Sequence, residues 1–332
     1  MRRLMRTSRV LYFSLTAVLC VGAFAVSRGN EAAAKSAAVV ADKAFLGRWD
    51  LTLSTQEGNK PSWLDLTEKD GKLEATYVGR WGNARPLPKA EIKDGTLTFV
   101  SPKDEEGLKE DMVFSGKLNA ANHTLHGTVN GTDGQHWQWE GSRAPKLAAP
   151  KDVKWGKAVT LFDGKTLNGW TYLPPNGKPE WTVKDGAIVK PSNAPELVND
   201  KKFKDFKLHI EFNIGDEANS GVYLRGRYEA QIENESDNEP PNRHLAGIYG
   251  FLAPFPTPPR KPNQWQTYDI TLLGRYVTVV LNGITVIDNK EIPGITGGAL
   301  NSAEGTPGPF YLQGGEKGTV MFRNIVVTPA VD

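Results

Sequence analysis

The chain has 332 residues, of which 39% are hydrophobic and 23% charged, with 40 Lys and Arg against 38 Asp and Glu. That length suits two domains of ordinary size, and the balance of apolar and charged residues excludes a largely disordered chain. The near-neutral charge lacks the basic excess of a nucleic-acid binder, and the lone Cys20 excludes a disulfide framework.

Arg2, Arg3, Arg6 and Arg9 precede an apolar run from Leu11 to Val26, shorter than the ~20 residues that a spanning helix needs. Ala23-Phe24-Ala25 supplies the small-x-small pattern of a signal-peptidase site. Residues 1–25 therefore read as a signal peptide cleaved after Ala25, and the mature protein as exported to the periplasm or beyond, with no stable membrane span. Cys20 as a lipid acceptor and an uncleaved N-terminal anchor are the alternatives, although Leu19 stands where a lipoprotein signal carries a small residue. Loss of the leader removes four Arg and no acid, which turns the formal charge from +2 to about −2. It also removes Cys20, and with it any thiol nucleophile. Residues 26–43, Ala-rich with scattered charge, read as a flexible tether.

From residue 44 to 145 the chain alternates apolar and polar residues between turn signals. Trp63 to Thr67 and Leu73 to Val78 flank Lys69-Asp70-Gly71, and Ile92 and Leu97 to Val100 flank Asp94-Gly95. Asp-Gly suits tight hairpin turns because both residues tolerate positive φ. Thr124 to Val129 and Gln135 to Glu140 form a third hairpin, with Leu125, Val129, Trp137 and Trp139 on one face and His126 and His136 on the other. These spacings predict a small antiparallel barrel or sandwich. Its role and any protein partner are left open by the sequence. No carboxylate cluster joins His126 and His136, so no metal site is expected there.

Residues 146–154, beginning Lys146-Leu147-Ala148-Ala149-Pro150, read as a linker, and a second β-rich stretch covers 155–330. Hairpins are expected across Lys184-Asp185-Gly186 and across Asn282-Gly283. Strands with Gly and Pro punctuation and no helical period predict a two-sheet jelly roll, so the whole chain reads as all-β. Between Asn234 and Pro262 lie seven prolines, a loop unsuited to a central strand and of the length that often carries function.

The most informative segment runs from Asn219 to Glu233. Alternation puts Glu229, Gln231 and Glu233 on one face of a strand, and if that strand is unbroken Arg225 and Arg227 share it. Such a row cannot pack against an apolar core without great cost, so it faces bulk solvent or a polar cleft. It resembles the Glu-x-Asp-x-Glu row of laminarinase-type glucanases, with Gln231 in the central position. Glu229 and Glu233 are about 13 Å apart along a strand, so their side chains would have to lean together for two-carboxylate glycosidase chemistry. His244, in the Pro-rich loop just after this row, is a candidate acid or base. Tyr249 and Trp265 are candidates for stacking on a sugar ring. Gly314-Gly315 lacks the Lys-Ser/Thr ending of a phosphate loop, and no Gly-x-Ser-x-Gly elbow is present.

Leu161-Phe162-Asp163-Gly164-Lys165-Thr166-Leu167-Asn168-Gly169-Trp170 resembles the opening motif of the 3-keto-disaccharide hydrolase family. NSGVYLR at 219–225, YEAQIEN at 228–234, GIYG at 247–250, KPNQWQTYDI at 261–270 and GPFYLQGGEKGTVMFRNIVV at 308–327 follow in the same order. The resemblance covers about 155 to 330 and leaves the N-terminal β-domain unassigned. It implies a concanavalin-like jelly roll and an exported enzyme acting on 3-keto-glycosides as a lyase, a hydratase or both, with no redox cofactor. Asn234 replaces an Asp usual in the family, and Gly314-Gly315-Glu316 replaces a frequent Asp-His-Gly.

On that reading Glu229 or His244 serves as base, Arg225 stabilises an enolate, and Glu233 acts as acid. Tyr223, Gln231, Tyr249, Trp265 and Gln313 bind the substrate, an oligosaccharide or glycoside. No metal ligand set is expected, and a structural calcium is left open. A non-catalytic, lectin-like carbohydrate-binding protein on the same fold is the alternative, and a structural or partner-binding protein the third reading.

Overall fold

Alternating apolar residues and Asp-Gly or Asn-Gly turns produce strands almost throughout the chain. The computed structural model describes residues 43–80, 82–130, 134–174, 181–234, 239–315 and 317–331. The expected leader at 1–25 and all of the tether but Lys43 lie outside the described residues, as does Glu316.

The first sheet contains β1 (Gly47–Thr55), β2 (Gly58–Lys69), β3 (Lys72–Val78), β4 (Arg85–Pro86), β5 (Lys89–Lys93), β6 (Thr96–Ser101), β7 (Met112–Asn119), β8 (Thr124–Asn130) and β9 (His136–Arg143). Neighbours in sequence are neighbours in the sheet, and β9 returns to pair with β1 from Trp49 opposite Arg143 to Ser54 opposite Gln138. Leu87 N–H donates to Ala75 O at 2.8 Å, which extends the β3–β4 pairing, and β5 then packs beside β3 to close the ring. The result is an up-and-down barrel, a closure that leaves no long strand edge unpaired. Its interior is filled by Trp49, Leu51, Leu66, Phe99, Phe114 and Trp139, with Phe99 and Phe114 stacked at 4.3 Å.

The rest of the chain forms two antiparallel sheets packed face to face. One has the order β13 (Thr182–Lys184), β14 (Ala187–Lys190), β23 (Val320–Val331), β16 (Phe206–Ile214), β19 (Trp265–Leu273), β20 (Tyr276–Leu281) and β21 (Ile284–Glu291). Short strands β10 (Lys154–Trp155) and β11 (Val159–Thr160) also pair with β23. The other has the order β12 (Trp170–Leu173), β15 (Glu196–Phe203), β22 (Gly308–Leu312), β17 (Asn219–Leu224) and β18 (Tyr228–Glu233). Phe206, Leu208, Ile210 and Phe212 alternate inward from β16 and meet Leu197, Val222, Ile232 and Leu312 in one core, giving a jelly-roll sandwich.

The segment 219–233 is not one strand. It turns back at Arg225-Gly226-Arg227, with φ of +52° at Arg225 and +66° at Gly226, so β17 and β18 form a hairpin. The parity that would align Arg225 with the glutamates is therefore lost.

Barrel and sandwich belong to one compact unit, Phe45–Asp332. While Trp49, Leu51 and Leu53 point into the barrel, Arg48, Asp50 and Thr52 point out towards the stretch 291–304. Arg48 pairs with Glu291 at 2.6 Å and Thr52 bonds Ser302 at 2.6 Å. Asp50, buried beside Glu304, is pushed up to about 9 by burial and then by the Glu304 charge. Arg275 Nη2 meets Glu304 Oε2 at 2.6 Å, and Tyr228 Oη donates to Glu304 Oε1 at 2.7 Å. Trp63, on the outer wall of β2, packs edge-on against Phe251 at 5.4 Å and joins the sandwich core.

Replacing Arg275 by Ala strands a fully buried Glu304 and should cost about 3–5 kcal/mol of stability. Replacing Arg48, whose pair with Glu291 is solvent-exposed, should cost about 0–1 kcal/mol. Urea unfolding of the two variants checks the contrast, and equal small losses would contradict it.

Candidate active site

The face of the five-stranded sheet that points away from the sandwich core carries polar and aromatic residues in register. Val198 of β15 stands opposite Tyr311 of β22, Tyr311 opposite Tyr223 of β17, and Tyr223 opposite Glu229 of β18. In the next row Gln313 donates its N–H to Gly221 O at 2.9 Å, and Gly221 stands opposite Gln231. Tyr223 and Tyr311 stack with ring centroids 3.9 Å apart.

Glu229, on the edge strand β18, is only 2% exposed. Its carboxyl group reaches back over β17, because a Cβ on Gly221 would lie 2.8 Å from Glu229 Cγ and 3.0 Å from Cδ. Only glycine at 221 leaves room for it. Burial raises the Glu229 carboxyl to about 8, the Tyr223 hydrogen bond opposes the shift, and the Glu196 charge adds to it. Tyr223 Oη lies 2.6 Å from Gly297 O and 2.8 Å from Glu229 Oε2. A hydroxyl has one proton to give, and a carbonyl can only accept. The Tyr223 proton is therefore shared between the Gly297 carbonyl and the Glu229 carboxyl, and the share given to Glu229 favours its ionised form. Burial outweighs that bond and favours a neutral Glu229 at pH 7.

Backbone from 296–299 covers the tyrosines. Tyr311 Oη donates to Gly298 O at 2.6 Å, and Thr296 Oγ1 accepts the Glu229 N–H at 3.0 Å. The stretch is tied to the barrel by Gly298 N–H donating to Arg80 O at 2.7 Å and by Arg80 Nη1 to Ala299 O at 3.3 Å. Arg80 lies in the loop between β3 and β4, and its charge favours the ionised forms of both Glu196 and Tyr311. Glu196 accepts the Gly314 N–H at 2.5 Å, and burial raises its pKa. Glu196, Gln313, Arg80 and Tyr249 are partly exposed, whereas Glu229, Tyr223 and Tyr311 are not, so the group opens on the Glu196 side.

Several residues expected at the site hold other positions. Arg225 Nη2 donates to Tyr228 Oη at 3.1 Å and Gly274 O at 2.7 Å. Tyr228 has the opposite parity to Glu229, so Arg225 is buried on the core side of β18. Glu233 is engaged by Arg260 through Nε at 3.0 Å and Nη2 at 2.9 Å, and by Leu245 N–H at 2.9 Å. It is an ion-paired brace for the Pro-rich loop, not a poised acid. His244 Nε2 lies 2.7 Å from Glu239 O at the loop surface. Trp265 belongs to the other sheet, where Arg323 stacks on it at 3.8 Å. Tyr223, Gln231, Gln313 and Tyr249 do gather around Glu229, the last through its N–H to Glu229 O at 3.0 Å.

Sequence reasoning missed Glu196, Tyr311 and Arg80. Glu196-Leu197-Val198 carries the same strand alternation that exposed Glu229, and Tyr311 lies inside a quoted motif. Arg80 gave no signal, because its loop belongs to the barrel. Among the described residues no group of three or more His, Cys, Asp or Glu could hold a metal ion.

Residues 157–328 match the family model described as a 3-keto-alpha-glucoside-1,2-lyase-like domain. A 3-keto-disaccharide hydrolase of Bacteroides thetaiotaomicron is 34% identical over 91 residues, which cover 24% of this chain and 30% of that relative. The match thus spans less than a third of the relative's length. Among solved structures, a candidate glycosyl hydrolase of Parabacteroides distasonis is 28% identical with a TM-score of 0.45, covering 55% of this chain and 93% of that one. The laminarinase catalytic domain of Thermotoga maritima is 11% identical with a TM-score of 0.33, covering 55% and 99%.

Folding raises the Glu229 pKa from 4.5 to about 8, so the native state keeps a proton that the unfolded chain releases. Its contribution to stability is full below about pH 4.5 and is lost as pH climbs to about 8. Glu229→Gln should therefore gain stability relative to the parent between pH 5 and 8, read as diverging urea midpoints. Parallel midpoints across that range would refute a proton held on Glu229.

Proposed function

We infer the activity from one premise, that the chain belongs to the 3-keto-alpha-glucoside-1,2-lyase-like domain family, matched over residues 157–328. The reading is an exported carbohydrate-active enzyme that cleaves 3-keto-glycosides by elimination across C1 and C2. The observation that carries it is a buried Glu229, its carboxyl pushed up to about 8, seated on a tyrosine pair with a second carboxylate, Glu196, at the open edge of the same face.

A ketone at C3 acidifies the proton on C2. Glu196, the more exposed of the two carboxyl groups, takes that proton, and the electron pair moves onto the C3 oxygen as an enolate. Arg80 supplies the positive charge beside it, in a setting of low dielectric where such a charge counts most. The enolate then collapses to form the C1–C2 double bond, the C1–O bond breaks, and the leaving oxygen takes the proton of Glu229. Adding water to the resulting unsaturated sugar completes a net hydrolysis. Gln231, Gln313 and Tyr249 orient the ring. The oxidation that created the ketone happened beforehand, so the elimination has no net redox change. Export rests on the Arg-led apolar leader and the Ala23-Phe24-Ala25 site.

The decisive comparison is aglycone release from a 3-keto-glucoside and from its unoxidised parent. Release from the keto sugar alone is expected, with Glu229→Gln lowering kcat by about 10²–10⁴-fold. An acid near 8 also predicts that kcat/KM falls above about pH 8. Sugar binding without release from either compound would instead favour a lectin-like protein.

A further inference from the structure

One end of the barrel is hollow. The rim formed by the β1–β2 turn, the β3–β4 loop, the start of β7 and the start of β9 encloses a cavity of about 400 Å³, within the ~300–1,000 Å³ range of small-molecule sites. Below it the barrel is packed solid by Phe99, Phe114 and Trp139, so this is a blind pocket, not a channel. Its wall combines an apolar side, Leu53, Met112 and the half-buried Trp137, with polar groups, Gln135, Lys60 and Arg80. Trp137 Nε1 is tied to Gln135 Oε1 at 3.3 Å, which steadies the indole.

This mixture matches a pyranose, whose C–H faces are apolar and whose rim of hydroxyls needs donors and acceptors. An aromatic plane accepts the first, and amide and cationic groups the second. Arg80 also connects the pocket to the catalytic face, because it lines the cavity while bonding Ala299 O and sitting beside Glu196 and Tyr311. We propose that the barrel mouth is the leaving-group subsite, holding the second pyranose of a 3-keto-disaccharide while its oxidised ring lies over Glu196 and Glu229. The proposal rests on the elimination reading for its orientation, but the sugar pocket itself does not. It gives the N-terminal barrel a direct part in substrate choice.

The test compares a 3-keto-disaccharide with the methyl 3-keto-glucoside that shares its oxidised ring, using the full mature chain. Trp137→Ala should raise KM for the disaccharide about tenfold relative to that for the methyl glycoside, with kcat little changed. Lys60→Met, at the outer rim, should shift the same ratio about threefold and guards against a folding defect in the first variant. Calorimetric titration with glucose supplies a readout that needs no turnover. Heat with the parent chain, lost in Trp137→Ala, supports the pocket even if no keto sugar is cleaved, and in that case only the elimination reading fails. Unchanged KM ratios in both variants, or glucose binding that ignores Trp137, would overturn the proposal.

Discussion

The buried pair of Arg275 and Glu304 holds together everything else in the molecule. Its two side chains come from a strand turn of the sandwich and from the long stretch before β22, and both are almost completely removed from water. A charge in that position is tolerated only when its remaining hydrogen bonds are met. Most are met, by groups from three directions, while Arg275 Nε has no partner among the described residues. Tyr228 supplies a hydroxyl from β18, Asp50 comes up beside Glu304 from the barrel wall, and the carbonyls of Pro293 and Pro145 accept from Arg275. One ion pair thereby fixes the barrel, the connection after it and the 291–304 stretch at once.

The polar face that carries Glu229 depends on this arrangement although none of these charges touches it. Gly297 and Gly298 lie seven and six residues before Glu304, and their carbonyls receive the hydroxyls of Tyr223 and Tyr311. Gly298 has no side chain to spare, since a Cβ there would come within 3.1 Å of Tyr223 Cζ. The Tyr223 hydroxyl in turn meets Glu229 Oε2 at 2.8 Å. Glu229 is therefore positioned through backbone whose course is set at the barrel interface, and Arg80 joins the same interface to the open side of the face. Such indirect support is what a buried functional group requires, because rigid neighbours must hold it within tenths of an ångström.

Much of this architecture was legible from residues alone. The Asp-Gly and Asn-Gly turns located five hairpins, all present, because a pair that tolerates positive φ between alternating strands has few other uses. Glu229 was legible for a related reason, a carboxylate in a row that had to face something polar. The same argument misjudged Glu233 and Arg225. Parity tells which side of a strand a residue takes, but not that Arg260, 27 residues on, would engage the first. Nor does it register a left-handed turn at Arg225 that sends the second to the opposite side. Asp50 was illegible because its burial depends on a surface contributed by residues more than two hundred positions away. The docking of Trp63 onto the sandwich was illegible for the same reason.

The place of β23 has a consequence for the order in which these parts can form. It is the last strand of the sandwich in chain order, yet it lies centrally in its sheet, between β14 and β16, and also carries β10 and β11. The barrel is complete once Arg143 has been made, whereas its partner sheet has no middle until Val320 to Val331 arrive. Through that interval the outward Asp50 and Trp63 of a finished barrel have nothing to dock against, and apolar wall stays open to water or to other chains. Speed of assembly is then governed by a contact between the two ends of the sandwich, the slowest kind for a chain to find.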